Sequence, residues 1–120
     1  MDLLARVTSE FNVDEKTASK ALGAIFTSVR MAMDTRTFGK VALTFPDAAA
    51  WMREAPVTGG RTGEMLALAT PATLKRSLIT LGFDESQVTK LGAMLGNTLR
   101  EALPPEIHRR IAERLPLLEV

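Results

Sequence analysis

The stretch VDEKTASKALGAIFTSVRMAM, residues 13–33, returns seventy positions later as FDESQVTKLGAMLGNTLREAL, residues 83–103. Laid in register without a gap, Asp14 meets Asp84, Glu15 meets Glu85, Lys20 meets Lys90, Arg30 meets Arg100 and Ala32 meets Ala102. The same register continues outward. Leu4 falls on Leu74 and Arg6 on Arg76, while Val41 falls on Ile111, Ala42 on Ala112, Phe45 on Leu115 and Pro46 on Pro116. Self-similarity at one fixed period is read before any single helix, because it decides the architecture. Two amphipathic helices of similar composition can agree by chance, but the ungapped register and the agreement at helix ends favour an internal duplication.

Each copy reads as three helices with the middle one longest. The spacing predicts a first helix over residues 2–11, with Leu3, Leu4, Val7 and Phe11 on one face and Asp2 as N-cap. Asn12 stops it, since Asn tolerates the left-handed conformation, and Val13 supplies the apolar contact back onto the helix. The second copy writes the same stop as Gly82 followed by Phe83. Asp14 and Asp84 then cap the long helices, with Glu15 and Glu85 complementing the helix dipole, and Gln87 completes a capping box with Asp84. Ala18, Ala21, Leu22, Ile25, Val29, Ala32 and Met33 recur at helical spacing, as do Val88, Leu91, Leu95, Leu99, Ala102 and Leu103. Small residues at Ala18, Ala21, Gly23 and Ala24, and at Gly92, Ala93 and Gly96, would allow close approach of neighbouring helices. A third helix is predicted over residues 36–45, capped by Asp34 or Thr35 and burying Phe38, Val41, Ala42 and Phe45 before Pro46. Its copy opens on Pro104-Pro105-Glu106 and carries Ile107, Ile111 and Leu115.

The expected fold is therefore all-α: two three-helix repeats, residues 1–47 and 71–117, packed as a pseudo-two-fold bundle within a single domain, with residues 48–70 connecting them. A three-helix unit is too small to bury both faces of its long helix. The copies should pack on each other through Ala21, Ile25, Val29, Leu91, Leu95 and Leu99. The connecting segment has no counterpart in the other copy. Residues 47–54 read as a short helix closed by Pro56, residues 57–63 (VTGGRTG) as a loop, residues 64–69 as another helical turn, and Thr70-Pro71 as an N-cap with proline at the first helical position.

At 120 residues the chain is long enough for one domain with a real core. It has no cysteine, which excludes disulfides, thiolate nucleophiles and cysteine metal sites, and a cytoplasmic location is expected. The formal charge of +1 gives no large field to attract nucleic acid or anionic lipid. Asp2 and Arg6 argue against a secretion signal, and no stretch approaches the roughly 20 apolar residues that span a bilayer.

No catalytic, cofactor-binding or metal-ligating set is expected. His108 is the one histidine, placed in HRR at the polar edge of the last helix and expected to face solvent, with no orienting carboxylate or nucleophile beside it. Asp14, Glu15, Asp84 and Glu85 are explained by capping, although two symmetric Asp-Glu pairs could in principle share a metal. Gly59-Gly60-Arg61 lacks the lysine and preceding strand of a phosphate loop. Arg100, His108, Arg109, Arg110 and Arg114 make the C-terminal end basic, diluted by Glu101, Glu106 and Glu113. Nucleic acid is not the expected partner.

Met31, Met33, Met52, Met65 and Met94, with Trp51, Phe26 and Phe38, supply soft apolar surface. Methionine fills irregular cores and also lines adaptable binding surfaces, so the core reading leads and an exposed remainder would be a partner groove. On the short helix after Pro46, Ala48, Trp51 and Met52 share a face by i, i+3 and i+4 spacing. That face either seals one end of the core or presents an aromatic anchor to a partner.

With these residues laid out, the chain resembles the VcgC/VcgE-like domains of unknown function, small bacterial helical proteins. The likeness rests on FNVDEKTASKALGAIF, on TFGKVALTFPDAAAWMREAP with Phe38, Val41, Pro46 and Asp47, and on LGFDESQVTKLGAML. Its motifs are apolar spacings and turns, and it implies a helical domain without implying catalytic residues. The expected function is that of a non-catalytic helical interaction or oligomerisation module, binding a protein partner or a second copy of itself, with Ala48, Trp51 and Met52 as the candidate contact face. The alternative is a carrier of a small apolar ligand held between the repeats by Met and Phe side chains, without a cofactor in either case.

Overall fold

A computed structural model describes residues 3–54 and 71–115. Among the described residues every regular element is an α-helix: α1 (Leu3–Phe11), α2 (Glu15–Met31), α3 (Thr35–Thr44), α4 (Ala48–Glu54), α5 (Pro71–Thr80), α6 (Glu85–Ala102) and α7 (Pro105–Arg114). The expected capping by Asp2, the loop over 57–63, the helical turn over 64–69, the Thr70 cap and Met65 all lie outside the described residues.

Local chemistry sets the helix ends. Asn12 is left-handed at φ 51°, and Gly82 stands at φ 113°, a conformation that side chains rarely adopt. At the second stop the Gly82 N–H donates to the Ile79 carbonyl (3.0 Å) and the Phe83 N–H to the Leu78 carbonyl (3.2 Å). That double bond satisfies carbonyls the helix end would otherwise leave unpaired. Beyond the stops, the Phe11 and Phe83 rings meet edge to face at 5.8 Å, joining the two halves of the chain, and Val13 packs half-buried against the core. Asp14 caps α2 by accepting from the Thr17 N–H (2.7 Å), and Asp34 caps α3 by accepting from the Thr37 N–H. Asp84 and Gln87 form the reciprocal capping box of α6, with bonds of 2.8 and 3.0 Å.

Several features recur seventy residues apart. The Ser28 hydroxyl donates to the Ala24 carbonyl (3.1 Å) and the Thr98 hydroxyl to the Met94 carbonyl (2.9 Å), each satisfying a buried polar group within its own helix. Phe45 and Leu115, the residues closing α3 and α7, have nearly the same backbone angles, φ −124°, ψ 78° and φ −127°, ψ 79°. Their N–H groups donate back to Val41 (2.9 Å) and Ile111 (2.7 Å).

One core joins all seven described helices. The six residues expected at the contact between copies, Ala21, Ile25, Val29, Leu91, Leu95 and Leu99, are all fully buried in it. The packing differs from a symmetric arrangement in its centre. In α2 every residue from Ala21 to Val29 is buried, Gly23, Thr27 and Ser28 included, so that helix has no solvent face over more than two turns. It packs against α1, α3, α4 and, across to the other half, α5. By contrast α6 keeps a solvent face of Thr89, Lys90, Ala93 and Arg100. Ala102, expected in the core stripe of α6, is exposed, because the helix ends there and Leu103 turns inward in its place. Likewise α3 buries Val41 completely but Phe38, Ala42 and Phe45 only in part.

Candidate partner-binding groove

The short helix α4 carries the expected contact face, and most of that face is occupied. Ala48 is 1% and Trp51 7% exposed. The indole ring lies 5.8 Å from the Phe26 ring, which in turn lies 5.3 Å from Phe45. Met52 is half-buried against the core, and Arg53 points out. Gly23 makes this seat possible, since α4 runs its backbone directly over the glycine: a Cβ there would stand 2.6 Å from the Trp51 carbonyl carbon and nearer still to its oxygen. The indole therefore seals the core beside α2. A partner arriving at α4 would meet Met52 and Arg53 rather than the ring.

The open part of the methionine and phenylalanine surface lies where α2 passes into α3. Ala32 closes α2, its N–H bonding to the Ser28 (3.2 Å) and Val29 (3.1 Å) carbonyls, and Asp34 starts α3 only two residues later. So abrupt a turn sets Met31 and Met33 on either side of the corner and Phe38 one turn into the next helix. All three are half-buried, and with Arg30 and Thr35 they line a half-open hollow of about 530 Å³. Met94, Phe26 and Trp51, in contrast, are core.

Arg30 is the charged residue among those that line this hollow. Arg30, Arg36 and Arg110 are exposed, and among the described residues none of them forms an ion pair. Asp34 is the opposing charge. The hydroxyl of Thr37 and then its backbone amide hold the Asp34 carboxyl below its ordinary value of 3.8, with Arg110 and Arg36 adding positive field against a small opposing effect of desolvation. Met31, Met33 and Phe38 were legible as soft apolar surface. Arg30 and Thr35, which complete the lining, were not singled out, although their positions on either side of the Ala32–Asp34 corner are the signal that could have found them.

A second hollow of about 420 Å³ is lined by Leu4, Ala5, Thr8 and Glu15 at the α1–α2 corner. It is smaller and shallow in apolar content. His108 does not face solvent as expected: it is half-buried, and its Nε2 is enclosed without a hydrogen-bond partner among the described residues. It lies one residue after the buried Ile107 and one turn before the buried Ile111, at the edge of the helix's buried stripe. Among the described residues no group of three or more histidine and carboxylate side chains gathers, Asp14-Glu15 and Asp84-Glu85 included. No described helix is long and apolar enough to cross a membrane. Comparison of the chain with family models, curated proteins and solved structures finds no match.

Proposed function

We propose that the chain is an internally duplicated, non-catalytic helical module that binds a protein partner, and that the groove at the α2–α3 corner is where it does so. The observation that carries this reading is the half-open floor of Met31, Met33 and Phe38, in a molecule whose other large described apolar side chains are mostly folded into one core. Flexible methionines beside an aromatic ring make an adaptable seat for apolar side chains of a partner. Two three-helix repeats related by a pseudo-two-fold supply the scaffold. Matched stops at Asn12 and Gly82, matched caps at Asp14 and Asp84, and matched buried hydroxyls at Ser28 and Thr98 support that duplication. The likeness to the VcgC/VcgE-like domains, carried by the apolar spacings and turns of residues 11–26, 37–56 and 81–95, belongs to the same proposal.

A carrier of a small apolar ligand between the repeats has less behind it. Phe26, Leu91 and Leu95, which would have to part, are fully buried in the contiguous core. Photo-crosslinking in the producing cells tests the docking reading, with benzoylphenylalanine placed at Met33 and, as control, at the exposed Lys16. Discrete protein adducts at Met33 that the Lys16 position does not give are expected. No adduct at Met33, or the same adducts at both positions, overturns the reading.

A further inference from the structure

We propose that the hollow at the α1–α2 corner takes a lysine side chain from the surface of a partner protein, its ammonium at the Glu15 carboxylate and its methylene stem along Leu4 and Ala5. The inference rests on the internal duplication and is independent of the groove at the α2–α3 corner. In the ungapped register of the two copies, Leu4 matches Leu74, Ala5 matches Lys75, Thr8 matches Leu78 and Glu15 matches Glu85. The second copy closes its corner from within: the Lys75 ammonium lies 3.4 Å from the Glu85 carboxylate and ties α5 to the start of α6. The first copy keeps the carboxylate and has alanine in place of the lysine. There Ala5 and Glu15, with Leu4 and Thr8, line one half-open hollow of about 420 Å³. Shorter side chains leave that room, alanine where the second copy has lysine and threonine where it has the fully buried Leu78.

The lining selects the occupant. Glu15 is exposed and forms no ion pair among the described residues, and Arg6, next to Ala5 on α1, pairs with Glu10 at 3.7 Å. The Thr8 hydroxyl already donates to the Ala5 carbonyl (2.8 Å), so what it offers the hollow is an acceptor. A carboxylate and an acceptor hydroxyl beside the half-buried Leu4 ask for a donor-rich cation on an apolar stem. Lysine has both, three N–H donors on a chain of four carbons. Magnitude decides that a protein carries it. One exposed ion pair shifts an equilibrium by about fivefold at most, too little to hold a free amine. For a protein seated by other contacts the same pair suffices to fix register.

The test uses the full chain and two probes, n-butylammonium and tetramethylammonium chloride, at equal ionic strength. The second carries the charge without N–H donors or a stem. Glutamate carboxyl shifts and backbone amide shifts are followed by NMR as each probe is raised. Butylammonium should move the Glu15 carboxyl and the amides of Leu4, Ala5 and Thr8, and tetramethylammonium should not. The Glu15 response should exceed that of the exposed Glu113 by a few-fold, the reach of one exposed ion pair. Ala5→Lys should abolish the response at Glu15 by supplying the cation from within, and Lys75→Ala should create one at Glu85. Both positions are exposed, and circular dichroism checks that the variants fold. Equal responses at Glu15 and Glu113, or a Glu15 response unchanged by Ala5→Lys, overturn the proposal. So does saturation below about 1 mM, which exceeds what one exposed ion pair supplies and would point to a free amine. Dimerisation lost in Glu15→Gln would point to a second copy and also overturns it. Carbodiimide, which couples a carboxylate to an ammonium in contact with it, separates this inference from the duplication. If it joins Lys75 to Glu85, and the side chain introduced by Ala5→Lys to Glu15, while butylammonium moves nothing, the lysine inference falls and the matched geometry stands. If Ala5→Lys does not couple to Glu15 while Lys75 couples to Glu85, the two corners are not equivalent and both fall.

Discussion

Gly23→Ala would ordinarily stabilise a helix, and in this molecule it should do the opposite. Replacing an internal helical glycine by alanine favours the helix by about 1 kcal/mol. At Gly23, however, the added methyl would lie 2.6 Å from the Trp51 carbonyl carbon and 3.2 Å from the Met52 Cα. Carbon atoms in ordinary contact stand about 3.5–4 Å apart, and both of these atoms are backbone, so no rotamer change relieves the clash. Helix α4 must move off α2 by about 1 Å, a gap that forfeits a quarter to a half of the dispersion attraction at Ala48 and Trp51. Overfilling a packed site costs about 1–3 kcal/mol, and a backbone clash belongs at the upper end of that range. Setting the propensity gain against it leaves a net destabilisation of about 2 kcal/mol. With a urea slope of about 2 kcal/mol/M, typical of a small domain, the unfolding midpoint should fall by about 1 M. Trp51 is the sole tryptophan, so its emission should also shift toward that of a more solvated indole. Gly39→Ala is the internal control: that glycine is exposed on α3 with open space where the methyl would go, and the change should stabilise by up to about 1 kcal/mol. An unchanged or raised midpoint for Gly23→Ala with unaltered emission would refute the close seating of α4.

Trp51→Ala should destabilise by about 3–5 kcal/mol, read by circular dichroism under urea, because it empties a buried site against Phe26. Gly82→Ala should cost about 1–2 kcal/mol at its positive φ, whereas Asn12→Gly, already left-handed, should be close to neutral. Acid should weaken the fold through Asp14 and Asp34. The backbone amide and then the hydroxyl of Thr17, with Lys16 and Lys20 nearby, lower the Asp14 carboxyl from its ordinary 3.8, and Asp34 is lowered by Thr37 as described. Because the native values are depressed, this stabilisation is present above 3.8 and is lost as pH falls through the lowered values. Asparagine at both positions keeps a capping group without the charge, so Asp14→Asn with Asp34→Asn should flatten the acid limb of a midpoint-against-pH curve. An identical acid limb in that double variant would count against the assignment.

What could be read from the residues was whatever depends on local chemistry. The left-handed stops at Asn12 and Gly82, the caps at Asp14, Asp34 and Asp84 and the reciprocal bond of Gln87 each involve groups within a few positions, and all are in place. Periodicity likewise identified Leu22, Ile25, Val29, Leu91, Leu95 and Leu99 as core. Neighbours supplied by tertiary packing were not legible. Helix periodicity puts Ser19 and Thr27 outside the apolar stripe of α2, yet both are buried, while Gly23, read as a position of close helix approach, has the backbone of α4 directly over it. His108 belongs to a polar run by composition but lies at the edge of the buried Ile107 and Ile111 stripe. The groove was hidden for a related reason, since methionines at a helix end read as core until the coverage around them is known.

The difference between the two long helices explains why a groove exists on one of them. At matched positions α2 has Gly23 and Phe26 where α6 has Ala93 and Gly96. The glycine lets α4 approach α2, and Phe26 supplies the ring on which Trp51 rests. On α6 the position matching Gly23 is an exposed alanine. Coverage of α2 then stops abruptly, since Val29 is fully buried, Arg30 is exposed and Met31 is half-buried. The groove is the last turn of α2 beyond the reach of that cover. Its apolar floor follows from a core stripe that continues to Met31 and Met33, and its charged mouth from the first position outside the cover, Arg30. Loosening α4 with Gly23→Ala should therefore leave the adducts at Met33 intact while lowering stability. A combined loss of both would mean that the seat of α4 and the groove are one cooperative unit.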